Sequence, residues 1–272
     1  MARLISVRDA QRGILSQFSS LSTTIVSLEQ SNGRVLSQDI FAETDFPSFA
    51  NSSMDGFALR TADVAGASAT SPVLLQVVAD IPAGIHPITI IHPGQAARIM
   101  TGAEIPAGAN AVVPVEDTNA AAAQPGSQAS SEVEIYRPVK PGSFIRQVGE
   151  DFRAGDILLK AGRKLYPQDV GLLAAIGIIS VPVYRRPRIA SFSTGNELVD
   201  PSAPLTPGKI RNSNSYTLAA LIEQSGGEVL RLPVAQDNPS IIRRLFDLAV
   251  SKQADLILTS AGVSVGAHDY VR

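Results

Sequence analysis

The chain has 272 residues, 44% hydrophobic and 18% charged, with a formal net charge of −2. That composition is globular and long enough for about two domains, and its balanced charge lacks the clustered Lys and Arg of a nucleic-acid-binding face. The absence of cysteine excludes disulfides, thiolate metal sites and a cysteine nucleophile, and fits a cytoplasmic protein.

The N-terminus, MARLISVRDAQRG, has no apolar core of a signal peptide. Residues 5–18 read as a helix, with Ser6 as N-cap and Val7, Ile14, Leu15 and Phe18 at helical spacing. Short strand-like runs, TTIVSL and RVLSQDIFA, follow. From 45 to 137 the texture changes to short β-branched pieces separated by turn residues, which predicts a small β-rich domain or barrel. Within it, 65–72 and 119–131 are polar, low-complexity surface loops. After 137 the first texture returns: GSFIRQVGEDFRAGDILLKAGRKL is hairpin-like, and YPQDVGLLAAIG begins a helix with Pro167 in its first turn and Gly177 near its end. The β-rich stretch is therefore expected to be an insertion into a domain formed by 1–44 and 138–185. The apolar run VGLLAAIGIISVPVY, 170–184, is shorter than the roughly 20 residues a membrane span needs. It is broken by Gly171, Gly177 and Pro182, and it reads as a buried helix followed by a strand. His86, His92 and His268 have no metal-ligand spacing.

From 186 onward strand and helix alternate. PRIASFSTG is a strand into a Gly loop, NSYTLAALIEQSGG a helix, EVLRLPVAQD a strand, NPSIIRRLFDLAVSKQ a helix with Asn238 as N-cap and Pro239 at its first position, and ADLILTSAGVSVG a strand into a second Gly loop. This predicts a parallel α/β sheet with crossover helices. Parallel sheets are buried on both faces, and a covering helix after HDYVR is lacking. The chain is therefore expected to be the N-terminal part of a longer protein.

Ligands of open α/β sheets bind beyond the carboxyl ends of the strands. Two loops lie there, Ser193-Thr194-Gly195-Asn196-Glu197 and Ser260 to Gly266. Gly195, Gly262 and Gly266 let backbone N–H groups approach an anion, and Thr194, Ser260 and Ser264 add hydroxyl donors, which suits a phosphate-bearing ligand. The bland alternative is that each glycine is only a turn. Glu197, Asp237, Asp255 and Asp269 are acids of the same region. Beside a phosphate they would hold Mg²⁺ or position water; otherwise they are solvated capping residues, the stronger reading for Asp255 at the far end of its strand. In SFANSSMDGFALR a lone acid, Asp55, stands between Met54 and Gly56, as an active-site group or as a turn-forming Asp.

Six stretches together carry a resemblance: FPSFANSSMDGFALR, RIMTGAEIPAGANAVVPVEDT, GEDFRAGDILLKAG, STGNEL, GKIRNSNSYTLAALIEQSGGEV and TSAGVSVGAHDY. In these the sequence resembles the molybdenum insertase family, the molybdopterin molybdenumtransferases, which includes the gephyrin E-domain. The resemblance implies a multidomain α/β and β protein: the mixed N-terminal domain, the inserted β-rich domain at 45–137, and a molybdopterin-binding α/β domain at 186–272 without the C-terminal β-domain. It implies molybdenum cofactor biosynthesis, in which adenylylated molybdopterin and molybdate are the substrates, AMP is released and the metal remains on the dithiolene sulfurs. It further implies a homodimer in which Asp55 and Thr101 face the partner's molybdopterin-binding domain, with molybdopterin adenylyltransferase as the upstream partner. By the same resemblance Asp55, Thr101, Glu197, Asp237 and Asp255 are catalytic, and Asp151 in GEDF is a further acidic position of the first domain. Thr194, Gly195, Ser213, Ser260, Gly262, Ser264, Gly266, Asp269 and Arg272 bind the cofactor, and Asp237 holds Mg²⁺. Three positions depart from the family pattern: Asn196 replaces an Asp, Ala261 a Gly, and Arg272 a Lys at the start of a basic molybdate-binding segment. The alternatives are molybdopterin adenylyltransferase, against which residues 1–185 argue, and a non-catalytic dimeric scaffold of the gephyrin type.

Overall fold

The computed structural model describes residues 5–122, 124, 126–260 and 271. The chain divides into two compact units, Met1–Ile40 with Leu159–Arg272, and Phe41–Leu158. The first unit opens with helix α1 (Val7–Leu15), which Ser6 caps as expected: its backbone is extended and its hydroxyl accepts the Asp9 N–H at 3.1 Å. No residue of α1 is buried, and its apolar side chains are open, Val7 at 86% and Ile14 at 61% exposure. Strand β1 (Thr23–Ser27) follows.

The second unit is built on a five-stranded sheet of β2 (Gly56–Leu59), β3 (Val73–Ile81), β4 (Gln95–Ile99), β5 (Ala111–Pro114) and β6 (Glu132–Ile135), in the order β5-β2-β4-β3-β6. Neighbours are antiparallel except β3 and β4. The sheet has two ends, so the domain is an open mixed sheet rather than a barrel. Strand β2 reads GFAL, with every residue buried, because it is central and covered on both faces. Phe57 and Leu59 pack with Leu75, Val113 and Ile135 on one side, and Ala58 packs with Ile81, Ile99 and Val112 on the other. A Cβ on Gly56 would lie 2.0 Å from the Val113 carbonyl oxygen, so glycine there is what lets β2 close against β5.

This unit runs to Leu158, beyond the boundary expected at 137. Residues 138–158 return to the segment that enters the unit. Asn51 pairs with Arg146 and Ser52 with Ile145, the Phe46 and Phe152 rings stack at 5.2 Å, and the Ser143 carbonyl accepts the Val112 N–H. The stretch expected to be a local hairpin is held by partners about thirty to a hundred residues earlier in the chain, which short-range pattern does not reveal.

Back in the first unit, α2 (Pro167–Ala175) begins where Asp169 accepts the Tyr166 N–H at 3.0 Å and a fork from Arg163 at 2.9 and 3.1 Å. Only Asp169 and Leu173 of α2 are buried, so the expected buried helix is a half-exposed one. The strand after it, β7 (Ser180–Tyr184), pairs antiparallel with β1. The α/β part then follows the predicted alternation: β8 (Arg188–Phe192), α3 (Asn214–Gln224), β9 (Glu228–Arg231), α4 (Pro239–Ser251) and β10 (Leu256–Thr259). All three strands are parallel, in the order β9-β8-β10. Asn238 caps α4, accepting from Ser240 N and Ile241 N, with Pro239 at its first position. Ala190 and Phe192 pack against Leu232, Ile242, Leu245 and Ala249, and Phe192 meets Phe246 edge to face. No helix among the described residues is long and apolar enough to cross a membrane.

Candidate active site

Strand β8 lies between the two strands that follow it in the chain. The connection from β8 leads to one side and the chain then crosses to the other, so the order reverses between β8 and β10. Such a switch point opens a crevice beyond the carboxyl ends of the two strands. Ser193, after β8, and Ser260, after β10, meet there, their hydroxyl oxygens 2.6 Å apart. Thr194 extends the parallel pairing by bridging to Ala235 and is buried, and the Gly195 N–H reaches the Ala235 carbonyl. Gly195 has φ +146°, and the Glu197 carboxylate folds back over it, 2.6 Å from where a Cβ would sit. That combination explains glycine at the loop's turning point.

Asn196 and Asp237 clasp each other. Asn196 N donates to Asp237 Oδ2 at 3.1 Å, and Asp237 N donates to Asn196 Oδ1 at 3.2 Å. An aspartate at 196 would keep the second bond but set a second negative charge beside Asp237; the asparagine keeps the clasp without the repulsion. Asp237 Oδ1 has no hydrogen-bond partner among the described residues. Ser213 precedes α3, is exposed and makes no side-chain cap. Ala261, Gly262, Ser264, Gly266, Asp269 and Arg272 lie outside the described residues.

Asp255 is not at this edge. It precedes β10, at the amino end of the sheet, where its carboxylate takes a fork from Arg185 at 2.5 and 2.6 Å and the Arg188 N–H at 2.8 Å. The Arg185 hydrogen bonds hold its carboxyl below the ordinary value. This corrects the expected catalytic role: Asp255 ties the strand entries of β8 and β10 together, at the end of the sheet opposite the loops.

In the second unit the segments around Asp55 and Thr101 fold onto each other. Ser52 N donates to the Ala103 carbonyl and Gly102 N to the Ser52 carbonyl. Asp55 Oδ1 accepts both the Thr101 N–H at 2.7 Å and the Thr101 hydroxyl at 2.8 Å. These bonds, the backbone one first, lower the Asp55 carboxyl below its usual value, so it is ionised near neutrality. Asp55 is exposed, and its Oδ2 has no hydrogen-bond partner among the described residues. A cleft of about 420 Å³ opens beside it, lined by Asp80, Arg98, Met100 and Val115 among others. Arg98 is clamped by a fork to Asp80 and donates to the Ser127 carbonyl at 2.8 Å. The sequence pattern gives Arg98 no role; it shares this cleft with Asp55 and Asp80 because β4 pairs with β2 on one side and β3 on the other, which short-range pattern does not reveal. Asp151 lies in this unit too, rather than in the first domain, and accepts from Arg146 at 2.5 Å.

Residues 5–177 match the family described as "MoeA N-terminal region (domain I and II)", and residues 190–272 match the "Probable molybdopterin binding domain". The chain belongs to the MoeA family. It is 43% identical over 270 residues to a molybdopterin molybdenumtransferase of Nostoc sp., covering 98% of this chain and 60% of the relative. It is 40% identical over 267 residues to molybdopterin molybdenumtransferase 2 of Mycobacterium tuberculosis, covering 98% and 64%. A crystal structure of the molybdopterin biosynthesis MoeA protein of Pyrococcus horikoshii aligns with a TM-score of 0.82 and 34% identity, over 94% of this chain and 66% of that one. The chain thus spans about 60% of the length of these curated relatives.

Proposed function

We propose that the protein acts in molybdenum cofactor biosynthesis as a molybdopterin molybdenumtransferase, taking adenylylated molybdopterin and molybdate and releasing AMP. Family membership and the names of the relatives support the reaction class. The observation that carries the catalytic role is the one-sided clamp on Asp55: both Thr101 donors use Oδ1, which leaves Oδ2 of an ionised carboxylate open to a cleft. In the step assigned to it, a water oxygen bonds to the adenylyl phosphorus, the phosphoanhydride P–O bond breaks, and AMP leaves. Oδ2 accepts the hydrogen bond of the attacking or metal-bearing oxygen, and Thr101 fixes the carboxylate's direction. The crevice between β8 and β10 holds the molybdopterin and its phosphates.

Asp237 fits a Mg²⁺ role. Mg²⁺ is commonly held by one or two carboxylates plus the ligand's phosphates, and Asp237 offers an oxygen its clasp with Asn196 does not use. Among the described residues no group of three or more acids or histidines forms a metal site, so the phosphates would complete the shell. When bound, the ion would neutralise phosphate charge. The homodimer reading accords with α1, whose apolar side chains lack cover among the described residues. The substrate requires a preceding adenylyl transfer to molybdopterin, which fits an adenylyltransferase as upstream partner. The test is AMP release by the whole protein incubated with adenylylated molybdopterin: release that rises with molybdate supports the reading, and release indifferent to molybdate overturns it.

A further inference from the structure

Cations crowd the amino end of the parallel sheet, the end opposite the ligand crevice. Stretches far apart in the chain meet there and are stitched together by backbone bonds. Gly33 N donates to the Leu165 carbonyl at 2.9 Å, and Leu165 N to the Arg34 carbonyl at 2.8 Å. Tyr184 N donates to the Val35 carbonyl at 2.8 Å, and Arg185 N to the Ser22 carbonyl at 2.9 Å. The turn after α3 joins them, because Glu228 N donates to the Pro187 carbonyl at 2.8 Å. Between these stretches lies a cavity of about 270 Å³. Arg34, Lys164, Arg185 and Arg186 line it, together with the hydroxyl-bearing Ser20 and Ser225.

The charge balance decides what this cavity suits. Arg185 is spent on its fork to Asp255, at 2.5 and 2.6 Å, and the neighbouring Arg188 faces Glu228 at 3.9 Å, so each pair is close to neutral. Arg34, Lys164 and Arg186 have no carboxylate partner among the described residues. The carbonyl end of α3 offsets about half a charge, which leaves an excess of about two to three positive charges. That excess is local, since the whole chain carries a net charge of −2. Lys164 and Arg186 alone would pass as solvated surface cations. Arg34 does not fit that reading. It is half-buried and spends one N–H on the Tyr184 carbonyl at 3.0 Å. Burial first, and next the charge of Arg186, hold its guanidinium below the ordinary value. A desolvated cation set against a like charge is unfavourable unless an anion joins them. We propose that this cavity binds a compact tetrahedral dianion of the phosphate type, with Arg34, Lys164 and Arg186 as its cationic partners and the Ser20 and Ser225 hydroxyls as further donors. Guanidinium groups match the oxygens of such an ion. The volume lies just below the roughly 300–1,000 Å³ of sites for drug-sized ligands, which favours a free ion or the phosphate end of a small monoester over a nucleotide. Bound there, the ion ties the stretches around Arg34 and Lys164 to the entry of β8. The inference is independent of the reaction read at Asp55.

The test titrates the whole protein by calorimetry at fixed ionic strength with inorganic phosphate, sulfate and glycerol 3-phosphate, and with chloride as the monoanion control. Arg186→Gln and Lys164→Gln each remove one charge from an exposed side chain that has no hydrogen-bond partner among the described residues, so the fold should be kept. Arg244→Gln removes the same charge from an exposed position on α4. Wild type should bind the dianions, and each cavity variant should weaken them about 10-fold or more, the scale of losing one hydrogen bond to a charged group. Arg244→Gln should bind as wild type does. The tighter of phosphate and glycerol 3-phosphate names the source of the ligand. Thermal melting supplies a second readout. Sulfate should raise the wild-type midpoint by more than it raises that of the Arg186→Gln, Lys164→Gln double variant, which keeps only the general stabilisation that such anions give any protein. Dianion affinities equal in wild type and both cavity variants overturn the proposal, because the ion then sits elsewhere, as in the crevice. Chloride competing as well as sulfate overturns it too, by reducing the cluster to a solvated surface, and so does a wild type that binds none of the dianions.

Discussion

Thr101 donates twice to the same oxygen of Asp55, from its backbone N–H at 2.7 Å and its hydroxyl at 2.8 Å, across 46 residues of chain. The carboxylate is thereby ionised and aimed, with its second oxygen unspent. Thr101→Ser should retain most of the turnover because both donors survive. Thr101→Ala keeps only the backbone bond and should lower turnover about tenfold, the effect of one hydrogen bond to a charged group. Steady-state AMP release with both variants checks this. A Ser variant as impaired as the Ala variant would mean that the methyl group, and not the hydroxyl, matters.

Gly56 makes Asp55's position possible. Gly56→Ala would drive a Cβ to 2.0 Å from the Val113 carbonyl oxygen beside an interior strand whose every residue is buried. Thermal melting should show a loss of about 3 kcal/mol or outright unfolding. A melting midpoint like that of wild type would contradict the tight β2–β5 approach.

Much of the α/β part was legible in the sequence. Its strands and helices announce themselves by period, the cap at Asn238 and Pro239 is a local signal, and the Gly loop at 193–197 follows a strand as the sequence suggests. What was not legible depends on pairing between distant residues. Arg185 stands 70 residues from Asp255, and nothing in either neighbourhood announces the other. The return of 138–158 to the segment around Asn51 is equally silent in short-range pattern. The apolarity of the run at 170–184 predicts a buried helix followed by a strand, yet the helix is half-exposed, because apolarity measures what a segment tolerates and not which face finds a partner.

Asp255 supplies a prediction that separates structure from catalysis. Asp255→Asn should lower the melting midpoint modestly, because it leaves the Arg185 fork with a neutral partner, while AMP release per folded molecule stays at the wild-type level. The pH dependence has a definite sign. The native carboxyl lies below its unfolded value, so the stabilisation is fully present above about pH 4 and is lost as pH falls through the native value. The gap between wild type and variant should therefore be constant near neutrality and close on further acidification. A gap that widens in acid would contradict the assignment.

Asn196→Asp restores a second carboxylate beside Asp237 without breaking the bond from Asp237 N. The fold should be unchanged, Mg²⁺ should bind more tightly, and diphosphate without Mg²⁺ should bind less tightly. Paired titrations with and without the ion test this. Unchanged Mg²⁺ affinity would remove Asp237 from the metal role.

The most direct test of the account is Asp55→Asn in the whole protein, with AMP release measured against molybdate beside wild type. Asparagine keeps an oxygen for the Thr101 donors and suits the same turn, so melting and retention of adenylylated molybdopterin should be nearly unchanged. Turnover should fall by about 100-fold or more, as expected on losing a positioned acid–base or electrostatic group. Wild-type release from the Asn variant would return Asp55 to the role of a loop residue and contradict the account.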